Sequence, residues 1–230
     1  MARILLIETS TARLSAALSE DGVVTAFRVC DEPRMQASLT APYVKEVLDE
    51  KHLTMKDLDA VCVGRGPGSY TGLRVGVSTA KGLCFGAGIP LLSVGTLDTL
   101  VSEAHRLEAV PDGCKYVVPM IDARRMEVYS ALFTPDGRQL TETKPIIVEA
   151  ASFGDQLAEG PVLFIGDGAL KCRETLASDH AFFTEAYPDA RAMAPLAETA
   201  YHEKRFEDVA YFEPFYLKDF VATVSRKKLF

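Results

Sequence analysis

The chain has 230 residues, 48% of them hydrophobic, and a formal net charge of −7. That is enough apolar material for one large domain or two small ones. The acidity argues against a chain that lives by wrapping nucleic acid, since such chains are basic; the one basic run, Arg226, Lys227 and Lys228, reads as a solvated tail.

The apolar run Ile4 to Ile7 is stopped by Glu8 before it reaches the length of a secretory signal. No stretch approaches the ~18 apolar residues of a membrane span. The five cysteines (Cys30, Cys62, Cys84, Cys114 and Cys172) are widely spaced, with no C-x-x-C pair. Reduced, mostly buried thiols in a cytoplasmic protein are therefore expected.

In chain order, residues 3–8, 13–19 and 23–29 read as strands, with Glu20-Asp21-Gly22 as the hairpin turn between the last two. Helical periodicity runs over 35–50, with Leu39, Tyr43, Val47 and Leu48 on one face. Thr54 and Asp57 can cap a short turn, and a strand at 60–63 leads into the loop Gly64 to Gly68. A helix over 69–85, a strand over 89–94 and a helix from Thr96 follow. The second half repeats this order: strands at 116–121, 126–133 and 145–148, a helix near 149–159, a strand at 162–165 and the loop Gly166-Asp167-Gly168. A helix to about 177, a short strand near 182–184 and a helix near 190–204 complete it.

The repetition extends to individual residues. Ile7-Glu8 and Ile121-Asp122 each end a strand with a carboxylate, and Asp21-Gly22 and Asp136-Gly137 each close a hairpin. Two halves of this order predict an α/β protein of two related lobes, 1–108 and 109–230, each a mixed sheet flanked by helices. The C-terminal segment is expected to pack back on the first lobe.

The helix at 69–85 is the most informative segment. Gly72, Gly76 and Ala80 recur every four residues and form one smooth ridge, beside which lie Leu73 and Val77. Each helical Gly costs about 1 kcal/mol relative to Ala, so a close approach by another backbone is expected to offset it. That backbone is read as a second polypeptide. The expected contact surface is Met35, Leu39, Tyr43, Gly72, Leu73, Arg74, Gly76, Val77, Ala80 and Lys81, and a Gly76→Leu exchange is expected to weaken binding. Cover by the neighbouring helix of the same lobe is the alternative.

Residues that would carry chemistry are scarce. There is no G-x-x-x-x-G-K-[ST] loop and no G-x-S-x-G nucleophile elbow, and the four histidines (His52, His105, His180 and His202) form no local pair. Asp122 is the available cleft carboxylate, and Arg124 or Arg125 is expected to neutralise it.

The segments ILLIETST at 4–11, VGRGPGSYTGLRVGVSTAKGL at 63–83 and VPMIDARRMEVYSALF at 118–133 resemble the TsaB (YeaZ) family, and GDGA at 166–169 and EPFYLKD at 213–219 extend the likeness over nearly the whole chain. The resemblance implies the duplicated actin-like ATPase fold (the ASKHA superfamily, built from ribonuclease H-like halves). It implies a cytoplasmic, non-catalytic subunit that pairs with the catalytic paralogue TsaD and, through the complex, with the ATPase TsaE. Their product is N6-threonylcarbamoyladenosine at position 37 of tRNAs reading ANN codons. Such chains also form homodimers, and tRNA is expected to be touched only indirectly. The resemblance further implies that the two chains meet through the helices at 35–50 and 69–85; Met35-Gln36-Ala37 departs from the His-Ser pair of many relatives.

The catalytic paralogue carries a metal-binding H-x-x-x-H, and Thr96 and Leu100 stand there in this chain, so no metal is expected. The superfamily's phosphate-contacting hairpin corresponds to Glu8, Thr9, Ser10 and Thr11, with Gly166 and Gly168 facing it from the other lobe. These are expected to be vestigial, with ATP or ADP an option rather than a requirement. The competing functions are an independent small-molecule kinase of this fold or a metallopeptidase-like protein.

Overall fold

The computed structural model describes residues 2–217; the basic run Arg226–Lys228 lies outside them. Among the described residues, ten strands form two five-stranded sheets. The first is built from β1 (Arg3–Glu8), β2 (Leu14–Glu20), β3 (Val23–Cys30), β4 (Ala60–Gly64) and β5 (Leu91–Val94) in the order β3-β2-β1-β4-β5. The second is built from β6 (Tyr116–Asp122), β7 (Glu127–Ser130), β8 (Lys144–Ile147), β9 (Val162–Ile165) and β10 (Ala181–Thr184) in the order β10-β9-β6-β7-β8. In both, the first three strands pair antiparallel and the last two are parallel additions beside the first. The two orders are the same order, so the duplication seen in the letters is a duplication of topology: the actin-like, ribonuclease H-like fold.

The strands read as unbroken apolar runs because both faces of each sheet are covered. Leu5 and Ile7 of β1 face α1 (Gln36–Glu50) and α2 (Tyr70–Ala87), in a core with Val44, Val47, Val61, Val63, Val77, Ala80 and Cys84. Ile4 and Leu6, one residue out of phase, face the opposite side with Cys62 and Leu92. That opposite side is covered by α5 (Ala190–His202), which follows the last strand of the second sheet. Conversely α3 (Thr96–Arg106) follows the first sheet yet places Leu97, Leu100, Val101 and Ala104 against Val117, Ile121, Leu163 and Ile165 of the second. A cut at 108/109 thus separates the strands but not the layers, since each half lends its last helix to the other. Residues 203–217 return to the first lobe, where the Glu207 N–H bonds to the Leu91 carbonyl and the Phe215 N–H to the Arg65 carbonyl.

Three expected elements differ. The strand expected at 126–133 is interrupted after Ser130, although Phe133 still exchanges both backbone bonds with Val117. The intervening partner is Pro119, which has no N–H to give to the ladder, and the Ser130 hydroxyl bonds its carbonyl instead. The helix expected from 149 is α4 (Gly154–Glu159), because residues 149–152 close a turn and Phe153 sits at φ +60°. The helix expected after Gly168 is reduced to a 3-10 turn at Leu170–Cys172, where the three-residue period sets Ala169 and Cys172 one above the other on the second core.

Candidate partner-binding surface

Helix α2 starts at Ser69, whose hydroxyl accepts the Gly72 N–H at 3.3 Å, and ends at Gly88 in the left-handed conformation. Its glycine ridge is filled from within the chain. The Thr9 hydroxyl donates to the Gly72 carbonyl at 2.8 Å in a buried bond, and the Ser69 N–H donates to the Ser10 carbonyl at 2.6 Å. A Cβ on Gly72 would collide with the Thr9 carbonyl oxygen, one on Gly76 with the Thr9 hydroxyl, and one on Gly68 with the backbone of Ser10. Gly72, Gly76 and Ala80, and with them Leu73 and Val77, are therefore not the partner surface; they are buried against the chain's own β1–β2 hairpin and first core. The backbone that the glycines admit is Thr9–Ser10. A Gly76→Leu exchange would disrupt the fold before it reached any partner.

Among the described residues, a second face of the same helix is uncovered. Thr71, Arg74, Ser78, Gly82 and Phe85 are exposed and lie along one stripe, with Val75 half-buried beside them. Phe85 is 85% exposed, and a Cβ on Gly82 or Gly86 would meet nothing. The signal for this stripe was present in the spacing Ser78, Gly82, Gly86, but the inner set repeats at the same interval and period alone does not say which is buried. Of the remaining expected contacts, Arg74 is exposed with its guanidinium over the Tyr70 ring. Lys81 is turned inward, donating to the carbonyls of Ala210 (3.1 Å) and Phe212 (2.9 Å) and so strapping residues 203–217 to α2. Tyr216 of that strap lies 5.0 Å from Tyr70, ring to ring. Met35, Leu39 and Tyr43 on α1 are half-buried, and the Tyr43 hydroxyl lies 3.5 Å from the Val29 carbonyl of β3.

The residues matched to a phosphate-binding hairpin do not line an open site. Glu8, Thr9 and Ser10 are fully buried and Thr11 nearly so. One carboxylate oxygen of Glu8 accepts the Ser10 N–H at 2.6 Å, while the other, Oε2, has no partner. Burial raises the Glu8 pKa above the ordinary carboxylate value, although hydrogen bonds from Ser10 act against it. Gln36, which the sequence offered only as a departure from a family pattern, reaches from α1 to bond the carbonyls of Thr11 (2.8 Å) and Ala12 (3.2 Å) and holds the hairpin shut. Gly166 and Gly168 are committed to the second sheet: a Cβ on Gly166 would strike the Met120 carbonyl, and the Gly168 N–H donates to that same oxygen.

The residues that stand at the paralogue's metal position can be placed as well. Thr96 and Leu100 share a face of α3 one turn apart, and both are fully buried. Among the described residues, no three His, Cys, Asp or Glu side chains are grouped as metal ligands would be. Asp122 is exposed, but its counter-ion is Lys171 rather than Arg124 or Arg125; only the backbone N–H of Arg124 reaches it. Both arginines sit at positive φ in the β6–β7 turn. Behind Asp122, Asp167 accepts the Asp122 N–H at 2.9 Å, and burial together with the Asp122 charge pushes its pKa up to about 6.

The family model described as TsaD, tRNA N6-adenosine threonylcarbamoyltransferase, matches residues 34–225. The protein named tRNA threonylcarbamoyladenosine biosynthesis protein TsaB from Escherichia coli is 34% identical over 96% of each chain. The chain belongs to the TsaB family. The Haemophilus influenzae protein of the same name is 30% identical over 98% of this chain and 96% of its own. The solved structure of YeaZ from Pseudomonas aeruginosa superposes with a TM-score of 0.83 at 27% identity, covering 94% of this chain and all of that one. Among the described residues, the outer stripe of α2 is exposed, whereas the Glu8 hairpin is closed by contacts within the chain.

Proposed function

We propose that this chain is a non-catalytic subunit of the assembly that forms N6-threonylcarbamoyladenosine at position 37 of tRNAs reading ANN codons, and that it works by docking the outer stripe of α2, with the adjoining α1, on a TsaD subunit. The single observation that carries the docking is the stripe Thr71, Arg74, Ser78, Gly82 and Phe85, where small residues and one nearly fully exposed aromatic lie uncovered by any other described residue, on a helix whose opposite face is closely packed. Small residues admit another helix at short range, and an exposed Phe supplies an anchor. The family relatives supply the pathway through their names.

Support for a non-catalytic role comes from Thr96 and Leu100, a hydroxyl and an isobutyl group in place of two metal-binding imidazoles, and from the ion pair that occupies Asp122. The role needs no bound nucleotide: Glu8 to Thr11, Gly166 and Gly168 already make intrachain contacts. TsaE joins through the assembled pair, and a second copy of this chain occupies the α2 stripe when TsaD is absent. On this reading the protein works in the cytoplasm, where the tRNA is modified; no helix among the described residues is long and apolar enough to cross a membrane.

The test mixes the purified chain with the TsaD of the same organism, tRNA and threonylcarbamoyl adenylate. Modification is expected only when both proteins are present. Equal modification by TsaD alone would overturn the proposal.

A further inference from the structure

The outer stripe of α2 carries one charge. Thr71, Ser78 and Gly82 are small and neutral, Phe85 is apolar, and Arg74 stands between Thr71 and Ser78, so an occupant of the stripe covers it. The Arg74 side chain is already positioned by its neighbours. Its guanidinium lies 5.3 Å from the centroid of the Tyr70 ring and donates to the Tyr70 hydroxyl at 3.3 Å. Tyr70 in turn packs on Tyr216, with ring centroids 5.0 Å apart. Arg3, Arg13, Arg28, Arg106 and Arg191 each pair with a carboxylate of the chain, whereas no described carboxylate pairs with Arg74.

Water solvates this guanidinium while the stripe is exposed. A helix laid on the stripe removes that water, and burying a charge is unfavourable unless a group of opposite charge meets it. A guanidinium presents five N–H donors in a planar fork and accepts nothing; the fork fits a carboxylate through two parallel bonds. The Tyr70 hydroxyl takes one donor at long range. An occupant that fits the stripe therefore needs an acidic side chain opposite Arg74.

A second copy of this chain offers none there. Its stripe repeats the same residues, and the outward residues of α1 beside it are Ala37, Ser38, Ala41, Pro42 and Lys45. The acidic side chains at the far end of α1 are engaged: Glu46 and Glu50 hold Arg28 at 2.7 Å each, and Asp49 pairs with Lys45. Two copies meeting on this face bring two unpaired Arg74 side chains into one interface, because a two-fold contact uses the same patch twice.

We propose that Arg74 sorts the occupants of the stripe: it takes an aspartate or glutamate side chain of TsaD in the heterodimer, and it opposes the pairing of two copies of this chain. The inference rests on the docking reading given above. It makes the two associations respond to one side chain in opposite directions, which a residue that only shaped the helix would not do.

Arg74 is exposed, so its variants are expected to keep the unfolding midpoint of the parent chain. Affinity of the full-length chain for the TsaD of the same organism is measured by titration calorimetry at low and high sodium chloride, and self-association by sedimentation equilibrium. Arg74→Gln is expected to weaken TsaD binding about tenfold and to flatten its salt dependence, while self-association tightens about threefold. Arg74→Lys keeps the charge without the fork and is expected to bind TsaD with an affinity between those of Arg74→Gln and the parent. TsaD binding by Arg74→Gln within about twofold of the parent, or self-association that does not tighten, would overturn the inference. Gly82→Trp tells the two readings apart. If it weakens TsaD binding while Arg74→Gln does not, the stripe is the docking site and the sorting role of Arg74 is wrong. If Gly82→Trp leaves TsaD binding intact, the docking reading fails and the sorting role falls with it.

Discussion

The two halves of this molecule share one topology and use the same junction in opposite ways. In the first, the strand that ends at Glu8 runs into a hairpin held closed by Gly68, Gly72, Gly76 and Gln36, and the segment after β4 grows into the 18-residue helix α2. In the second, the strand that ends at Asp122 runs into an exposed turn, and the segment after β9 gives only a 3-10 turn. The end-of-strand carboxylate is buried and partly unpartnered in one half, and exposed and ion-paired to Lys171 in the other. Duplication thus fixes the sheet order but not the fate of its connections. A long helix with one packed face and one bare face arose only where glycines let it lie directly on the hairpin.

The sharpest way to break this contrast is to put a side chain where the hairpin touches α2. Gly72→Val sets a branched Cβ into the Thr9 carbonyl and is expected to destabilise the chain by about 3 kcal/mol or more, read by urea denaturation. A loss under ~1 kcal/mol would mean that the inner face is not tightly packed.

In the second half, Asp167 offers a pH test. Its folded pKa, near 6, lies above the ordinary value, so as pH rises through 4 to 6 the unfolded chain gives up its proton first and stability falls. Asp167→Asn keeps the acceptor for the Asp122 N–H and removes that fall. The variant is expected to be more stable by about 2 kcal/mol at pH 7.5, with the gain vanishing below about pH 4, as followed by thermal melts across pH. A gain that persists at pH 3.5 would remove ionisation as its cause.

On the bare face, Gly82→Trp is expected to leave the unfolding midpoint unchanged and to weaken association with TsaD at least tenfold, about 1.4 kcal/mol, by titration calorimetry. Unchanged affinity would move the interface elsewhere. The smallest effect belongs to Gly82→Ala, which fills open space on an exposed helix and is expected to stabilise by up to ~1 kcal/mol. The same exchange at Gly76 should do the reverse, because its Cβ meets the Thr9 hydroxyl.

Sequence alone settled what local chemistry dictates. The apolar runs at 3–8 and 162–165, the Asp21-Gly22 turn at positive φ, and the Thr54–Asp57 capping box all stand where the residues place them. The repeated order of elements gave away the duplicated sheet, and missing histidines at Thr96 and Leu100 bear on metal chemistry whatever the packing. Tertiary structure decided which side of α2 is inside, because Gly72-Gly76-Ala80 and Ser78-Gly82-Gly86 have the same four-residue period and only the position of Thr9 distinguishes them. It also decided that α3 and α5 exchange lobes, that Lys171 rather than an adjacent arginine neutralises Asp122, and that Gln36 seals the hairpin. Each of these is a contact between residues distant in the chain, and periodicity carries no information about such partners until the layers are stacked.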